Sequence, residues 1–220
     1  MGIAVVTGAN RGIGLELVRQ LRQRGEHVIA VCRQGSVALD ALGVRVEAGC
    51  DVTDAAARDD LARRLGGAII DLLVHNAGVL VEDSLDRIDP ADVRRQFEIN
   101  ALAPLFLTRA LLPNLKRGSR VVLITSRMGS MADNGSGGYY GYRMSKAALN
   151  AAGVSLAVDL KPRGIAVGIL HPGAVRTDMT GGHGMIEPEE SVRGLLQRMD
   201  GLSLETSGHF LHQNGDRLPW

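Results

Sequence analysis

Ile3-Ala-Val-Val-Thr7 runs directly into Gly8-Ala-Asn10-Arg11-Gly12-Ile13-Gly14, and Leu15-Glu-Leu-Val-Arg-Gln-Leu-Arg22 follows without a break. An apolar run short enough for a buried strand is thus joined by a glycine-rich turn to a stretch with helical periodicity. Glycine permits the sharp turn and the close approach of backbone to a ligand. The N–H groups at the following helix start attract negative charge, so strand, turn and helix together form a cradle for a pyrophosphate. The spacing is Thr-Gly-x-x-x-Gly-x-Gly, which places Asn10 and Arg11 inside the turn, next to the phosphates.

The same alternation continues along the chain. Apolar runs at Ile3–Thr7, His27–Val31, Val44–Ala48, Leu72–His75, Arg120–Thr125, Ile165–Leu170 and Gly208–His212 predict strands. Between them, helical patterns fall at Ile13–Arg24, Asp54–Leu65, Ala91–Leu112, Tyr142–Leu160 and Glu189–Met199. Asp54 and Asp89 are suited to cap the second and third, with Pro90 in a first turn. Strands that are apolar throughout and alternate with helices predict a doubly wound parallel seven-stranded sheet with helices on both faces, a Rossmann-like α/β fold. No linker or repeat interrupts residues 1–220, so one dinucleotide-binding domain is expected. Two loops, 128–140 and 173–188, exceed what connection requires, and both follow the carboxyl end of a strand, where such sheets bind ligands. The second is the candidate substrate loop.

Composition narrows the function. With 220 residues, 45% of them hydrophobic, and a net charge of +1, the chain can bury a full core and offers no bulk charge for nucleic acid or an anionic membrane. Cys32 and Cys50 have neither disulfide-framework nor metal spacing, and no metal site is expected. No leader-like or membrane-spanning run precedes the first strand, which makes the cytoplasm the expected location.

The second strand bears on which dinucleotide is bound. An NAD site ordinarily ends this strand with an acid that binds the ribose 2′-OH. Here it ends Val31-Cys32-Arg33-Gln34, with no carboxylate. Arg33 can stack on adenine and bind a 2′-phosphate, and Arg11 can reach the same phosphate from the turn. NADP(H) is therefore expected over NAD(H). Asp51-Val52 after the third strand and Asn76-Ala77-Gly78 after the fourth are further points of approach for the adenine and the rings.

Tyr142-Arg-Met-Ser-Lys146 puts a phenol and an ammonium four residues apart on one helix face. A free phenol has a pKa of about 10, and a neighbouring cation would lower it toward use in proton transfer. Taken alone this spacing is common. In combination with Thr7–Gly14, Asn76–Gly78 and Ser126 after the fifth strand, the whole chain resembles the short-chain dehydrogenase/reductase family. The nearest likeness is the C-factor/sniffer-like carbonyl-reductase branch, through Asn10-Arg11, Arg33 and the ending Asn214-Gly-Asp-Arg-Leu-Pro-Trp220.

That resemblance implies roles. Tyr142 would be the general acid/base, Lys146 would lower its pKa and hold the nicotinamide ribose, and Ser126 would bind the substrate oxygen, with Ser130 the alternative. Asn100 would sit where the helix opens to hold a water in a proton relay. Pro172, Gly173, Val175 and Thr177 would close over the nicotinamide. The usual Asn-Asn-Ala-Gly reads His75-Asn76-Ala-Gly here. The reaction implied is reversible reduction of a small ketone or aldehyde by NADPH. A dinucleotide-binding regulator with little turnover is the alternative. His171 and His183 are given no role. A homodimer or homotetramer is also implied, through Ala91–Leu112 and Tyr142–Leu160, with Leu105, Leu149 and Val154 as interface candidates unless those stripes face the sheet.

Overall fold

A computed structural model describes residues 2–220. Its seven strands are β1 (Ile3–Thr7), β2 (His27–Val31), β3 (Arg45–Glu47), β4 (Ile70–His75), β5 (Leu115–Ile124), β6 (Ala166–His171) and β7 (Phe210–His212). They form one parallel sheet in the order β3-β2-β1-β4-β5-β6-β7. The chain winds outward from β1 to β3, then returns to the middle and winds the other way from β4 to β7. The reversal between β1 and β4 leaves a crevice at the carboxyl edge, where the glycine turn and Asn76–Gly78 meet.

The helices are α1 (Gly12–Gln23), α2 (Val37–Asp40), α3 (Ala55–Leu65), α4 (Pro90–Phe97), α5 (Ala103–Ala110), α6 (Tyr140–Leu160) and α7 (Pro188–Asp200). Alternation along β1 divides the core. Ala4 and Val6 face a layer built from α1 and α7, with Leu17, Leu21, Leu195 and Met199 buried. Val5 faces the opposite layer, with Leu61 of α3, Leu107 of α5 and Leu149 of α6. Each fully buried leucine contributes roughly 1.5–3 kcal/mol of transfer free energy, so both layers are needed to hold the sheet. Cys32 belongs to the first layer and Cys50 to the second, so the sheet itself separates the two thiols.

Two expectations are corrected and one open alternative is decided. The helix expected over Ala91–Leu112 is broken into α4, a π-helical segment Glu98–Leu102 and α5. The break falls where Pro104 lacks the N–H that a continuous helix would need. Leu149 is 1% exposed in the core, so it is not available as an interface residue, whereas Val154 is 40% exposed. The fifth strand begins earlier than its apolar run, at Leu115, and a register shift against β4 lets Leu115–Arg120 continue the sheet. Asp54 and Asp89 cap α3 and α4 as expected, with Pro90 in the first turn of α4. No helix among the described residues is long and apolar enough to cross a membrane.

Candidate active site

The glycine turn adopts its shape for steric reasons. Gly8 has φ +64°, and a Cβ there would lie 2.8 Å from Ala77 Cα. Gly14 has no such backbone demand, yet a Cβ would collide with the Gly8 carbonyl and come within 2.6 Å of Asn76 Nδ2. Asn76 explains this crowding, because its amide donates to the carbonyls of Thr7 at 3.1 Å and Gly8 at 3.2 Å. The ends of β1 and β4 are thereby tied together beneath the crevice.

A cleft of about 760 Å³ opens above them. Gly8, Asn10, Arg11, Gly12 and Ile13 line one wall. Arg33, Asp51 and Val52 line the far end, and Asn76, Ala77, Gly78 and Thr177 the other wall. Pro172, Gly173 and Val175 lie outside these walls. The Pro172 carbonyl accepts from Ser191 Oγ at 2.6 Å, and Val175 is buried by its bridge to Ile186. The volume and the backbone surface suit an elongated, anionic ligand, so the residues present fit a nicotinamide dinucleotide.

The two arginines differ. Arg33 is exposed at the cleft and makes no ion pair among the described residues. Arg11 lies 3.7 Å from Asp178 across the cleft mouth, both exposed, a carboxylate that the sequence reading did not consider. Burial pushes the Asp51 carboxyl up, but two hydrogen bonds from Thr53 and the nearby Arg33 outweigh it and leave its pKa below the ordinary value.

At the carboxyl end of β5, the Ser126 hydroxyl accepts from Met128 N at 3.1 Å and lies near enough to the Tyr142 phenol to favour its ionised form. Ser130 is likewise buried and accepts from Asp133 N at 3.1 Å. Tyr142 and Lys146 are 7% and 5% exposed, and Lys146 Nζ stands 5.7 Å from the centre of the Tyr142 ring. Lys146 Nζ also donates to the Ile124 carbonyl at 2.9 Å. The lowering of the Tyr142 pKa expected from Lys146 is overturned. Burial pushes the phenol up to about 12, against the lowering effect of the nearby Ser126 hydroxyl. Burial also brings the Lys146 ammonium down to about 8. Tyr142 therefore holds its proton at neutral pH, the state required of a proton donor.

Asn100 is wholly buried in the π-helical segment. Its Oδ1 accepts from Val79 N at 2.8 Å, and its Nδ2 donates to Val79 O at 2.9 Å and Ser145 Oγ at 3.0 Å. These bonds link the segment after Gly78 to α6, one residue before Lys146.

Two features escaped the sequence reading. Asp83 receives the Tyr140 and Gly141 N–H groups, at 2.5 and 2.9 Å, and so caps the helix carrying Tyr142. The cap crosses 57 residues of sequence, so no local pattern could reveal it. His75 Nε2 lies 2.8 Å from Thr108 Oγ1, which donates to the Pro104 carbonyl at 2.8 Å. A proline inside a helical pattern was the available signal for the break at Pro104. His171 packs edge-on against His212, at 5.0 Å between ring centres. Among the described residues, no group of three or more His, Cys, Asp or Glu is placed to hold a metal.

Comparison with known proteins adds to this geometry. Residues 2–185 match the family described as short chain dehydrogenase. The chain is 44% identical over 226 aligned residues to 1-hydroxy-2-glutathionyl-2-methyl-3-butene dehydrogenase of Rhodococcus sp. (strain AD45), with 100% of each chain covered. It is 49% identical over 154 residues to the C-signal of Myxococcus xanthus, covering 69% of this chain and 93% of that one. The NADPH-bound carbonyl reductase from chicken fatty liver superposes with a TM-score of 0.90 at 32% identity, covering 100% of this chain and 98% of that one.

Proposed function

The chain belongs to the short-chain dehydrogenase/reductase family of oxidoreductases, and from that premise we propose that it reduces a small ketone or aldehyde with NADPH, reversibly, using Tyr142 as general acid/base. The observation that carries the reading is the buried Tyr142, with Lys146 Nζ 5.7 Å from its ring and Ser126 beside it. When bound, the reduced nicotinamide supplies a hydride equivalent to the carbonyl carbon.

The chain's own residues do the rest. Ser126 donates to the substrate oxygen and orients it beside Tyr142. The Tyr142 hydroxyl gives its proton to that oxygen as negative charge develops there. Lys146, charged below about pH 8, stabilises the phenolate that results. Each turnover removes one proton from Tyr142, which must return from solvent. In this reading the return passes through Lys146 and a water on the Asn100 main-chain carbonyl. Arg33, with Arg11 in support, selects the 2′-phosphate.

Tyr142→Phe tests this directly. Coenzyme binding, followed by fluorescence titration, is expected to stay within about twofold, while turnover falls by roughly 10²–10⁴. Unchanged turnover would remove Tyr142 from the mechanism. The substrate panel includes alcohols bearing a glutathionyl group, because the Rhodococcus relative is named for one. A second reading, a dinucleotide-binding signalling protein with little turnover, draws on the similarity to the C-signal. Inactivity of the wild type across the panel, with NADPH still bound, would favour it.

A further inference from the structure

We propose that Pro104 is a positioning residue that keeps the main-chain carbonyl of Asn100 out of the helical hydrogen-bond ladder, and thereby open to the water that returns protons to Lys146; this rests on the relay described above.

In a continuous α-helix the Asn100 carbonyl would accept the N–H of residue 104. Residue 104 is proline and has no N–H to give. Directly before it, the Ala103 N–H bonds back to Glu98 O, five residues away, which widens the helix into its π-helical segment. The Asn100 side chain is already engaged. Both hydrogens of Nδ2 are donated, to Val79 O and Ser145 Oγ, and Oδ1 takes Val79 N–H. The side chain therefore locks the segment in place with both Nδ2 hydrogens spent, and the main-chain carbonyl, which residue 104 cannot supply with an N–H, is the acceptor assigned to the mobile proton carrier. Gly78 keeps the space between the Asn100 side chain and Lys146 open, since a Cβ there would stand 3.2 Å from Asn100 Oδ1 and 3.7 Å from Lys146 Nζ. Lys146 spends one N–H on Ile124 O and keeps two.

The break is braced from behind. Thr108 Oγ1 donates to the Pro104 carbonyl and accepts from His75 at the end of β4, one residue before Asn76. A hydroxyl bonded back to the carbonyl four residues earlier bends a helix. Here the bend is tied to the strand that leads into the coenzyme cleft. His75, which departs from the family pattern, thus anchors the same device that Pro104 opens.

The test is Pro104→Ala, which restores the missing donor. The new amide at 104 should be protected from hydrogen exchange, the melting temperature should not fall, and NADPH affinity should stay within about twofold. Turnover should nevertheless drop at least about tenfold, with a larger solvent deuterium isotope effect on kcat, because proton return is obstructed. Thr108→Val, which weakens the brace without adding a donor, should lower kcat less, and Thr108→Ser should restore it. An unprotected amide at 104, or kcat and isotope effect equal to wild type, would overturn the proposal. So would loss of activity in step with melting temperature and NADPH affinity, which would make Pro104 only a fold element. Tyr142→Phe run in parallel separates the two readings. If it is inactive while Pro104→Ala is fully active, only this inference fails; if it is fully active, the proposed function fails and this inference with it.

Discussion

Acid should weaken this fold through one identifiable group, His75. The imidazole is buried, and burial pushes its pKa down to about 3. The Thr108 hydroxyl donates to Pro104 O, so it can only accept at His75, and the imidazole carries its single proton on Nε2. The unfolded chain releases this site to an ordinary histidine pKa of about 6.5. Between those two values the unfolded state binds a proton that the folded state refuses. The stabilisation is therefore complete above about pH 6.5 and is lost progressively as pH falls toward 3. Each pH unit inside the window costs about 1.36 kcal/mol, which sums to about 2.5 kcal/mol between pH 7 and pH 4.5. Glutamine at position 75 keeps an N–H near the place of Nε2 and does not titrate. Urea unfolding of wild type and His75→Gln at pH 7 and pH 4.5 isolates the effect, because every other titrating group is common to both. The wild type should lose about 2.5 kcal/mol more than the variant over this interval. Equal losses would show that the imidazole is accessible to protons in the folded state, and the reasoning from burial would fail.

Arg33→Ala should weaken NADPH by about ten- to a hundredfold, the worth of a charge-assisted hydrogen bond, and weaken NADH much less, through the lost adenine stacking alone. Fluorescence titration with both coenzymes checks this, and equal losses would refute the 2′-phosphate role. Arg11→Ala should cost less, since Asp178 competes for that guanidinium. Gly14→Ala should lower the melting temperature by several degrees and impair NADPH binding, because the methyl group meets the Gly8 carbonyl and forces the turn open, at about 1–3 kcal/mol. An unaltered scanning-calorimetry trace would count against it. Because Lys146 loses its charge at about pH 8, kcat/KM for NADPH, which reports the free enzyme, should decline above that pH. A flat profile to pH 10 would exclude Lys146 as the titrating group.

Much of this architecture is local and so was legible in the chain itself. Strand and helix periodicity, the glycine spacing, and the capping aspartates 54 and 89 all act within a few residues, and each predicted element is present in the structure except that the helix expected over Ala91–Leu112 is divided. The absence of an acid after Val31 and the spacing of Tyr142 and Lys146 are likewise properties of short segments. What tertiary structure decided arises between segments distant in sequence. Whether Leu149 faces the core or solvent depends on which side of the sheet α6 packs. The protonation of Tyr142 follows from how deeply β5 and α6 bury it, and that burial reversed the pKa shift expected from its lysine neighbour alone. Asp83 reaches the start of α6 across 57 residues, and His75 reaches Thr108 across 33. Sequence spacing reports which groups share a helix face, but desolvation and long-range hydrogen bonds depend on the whole packed layer, and these set the charge states of the site.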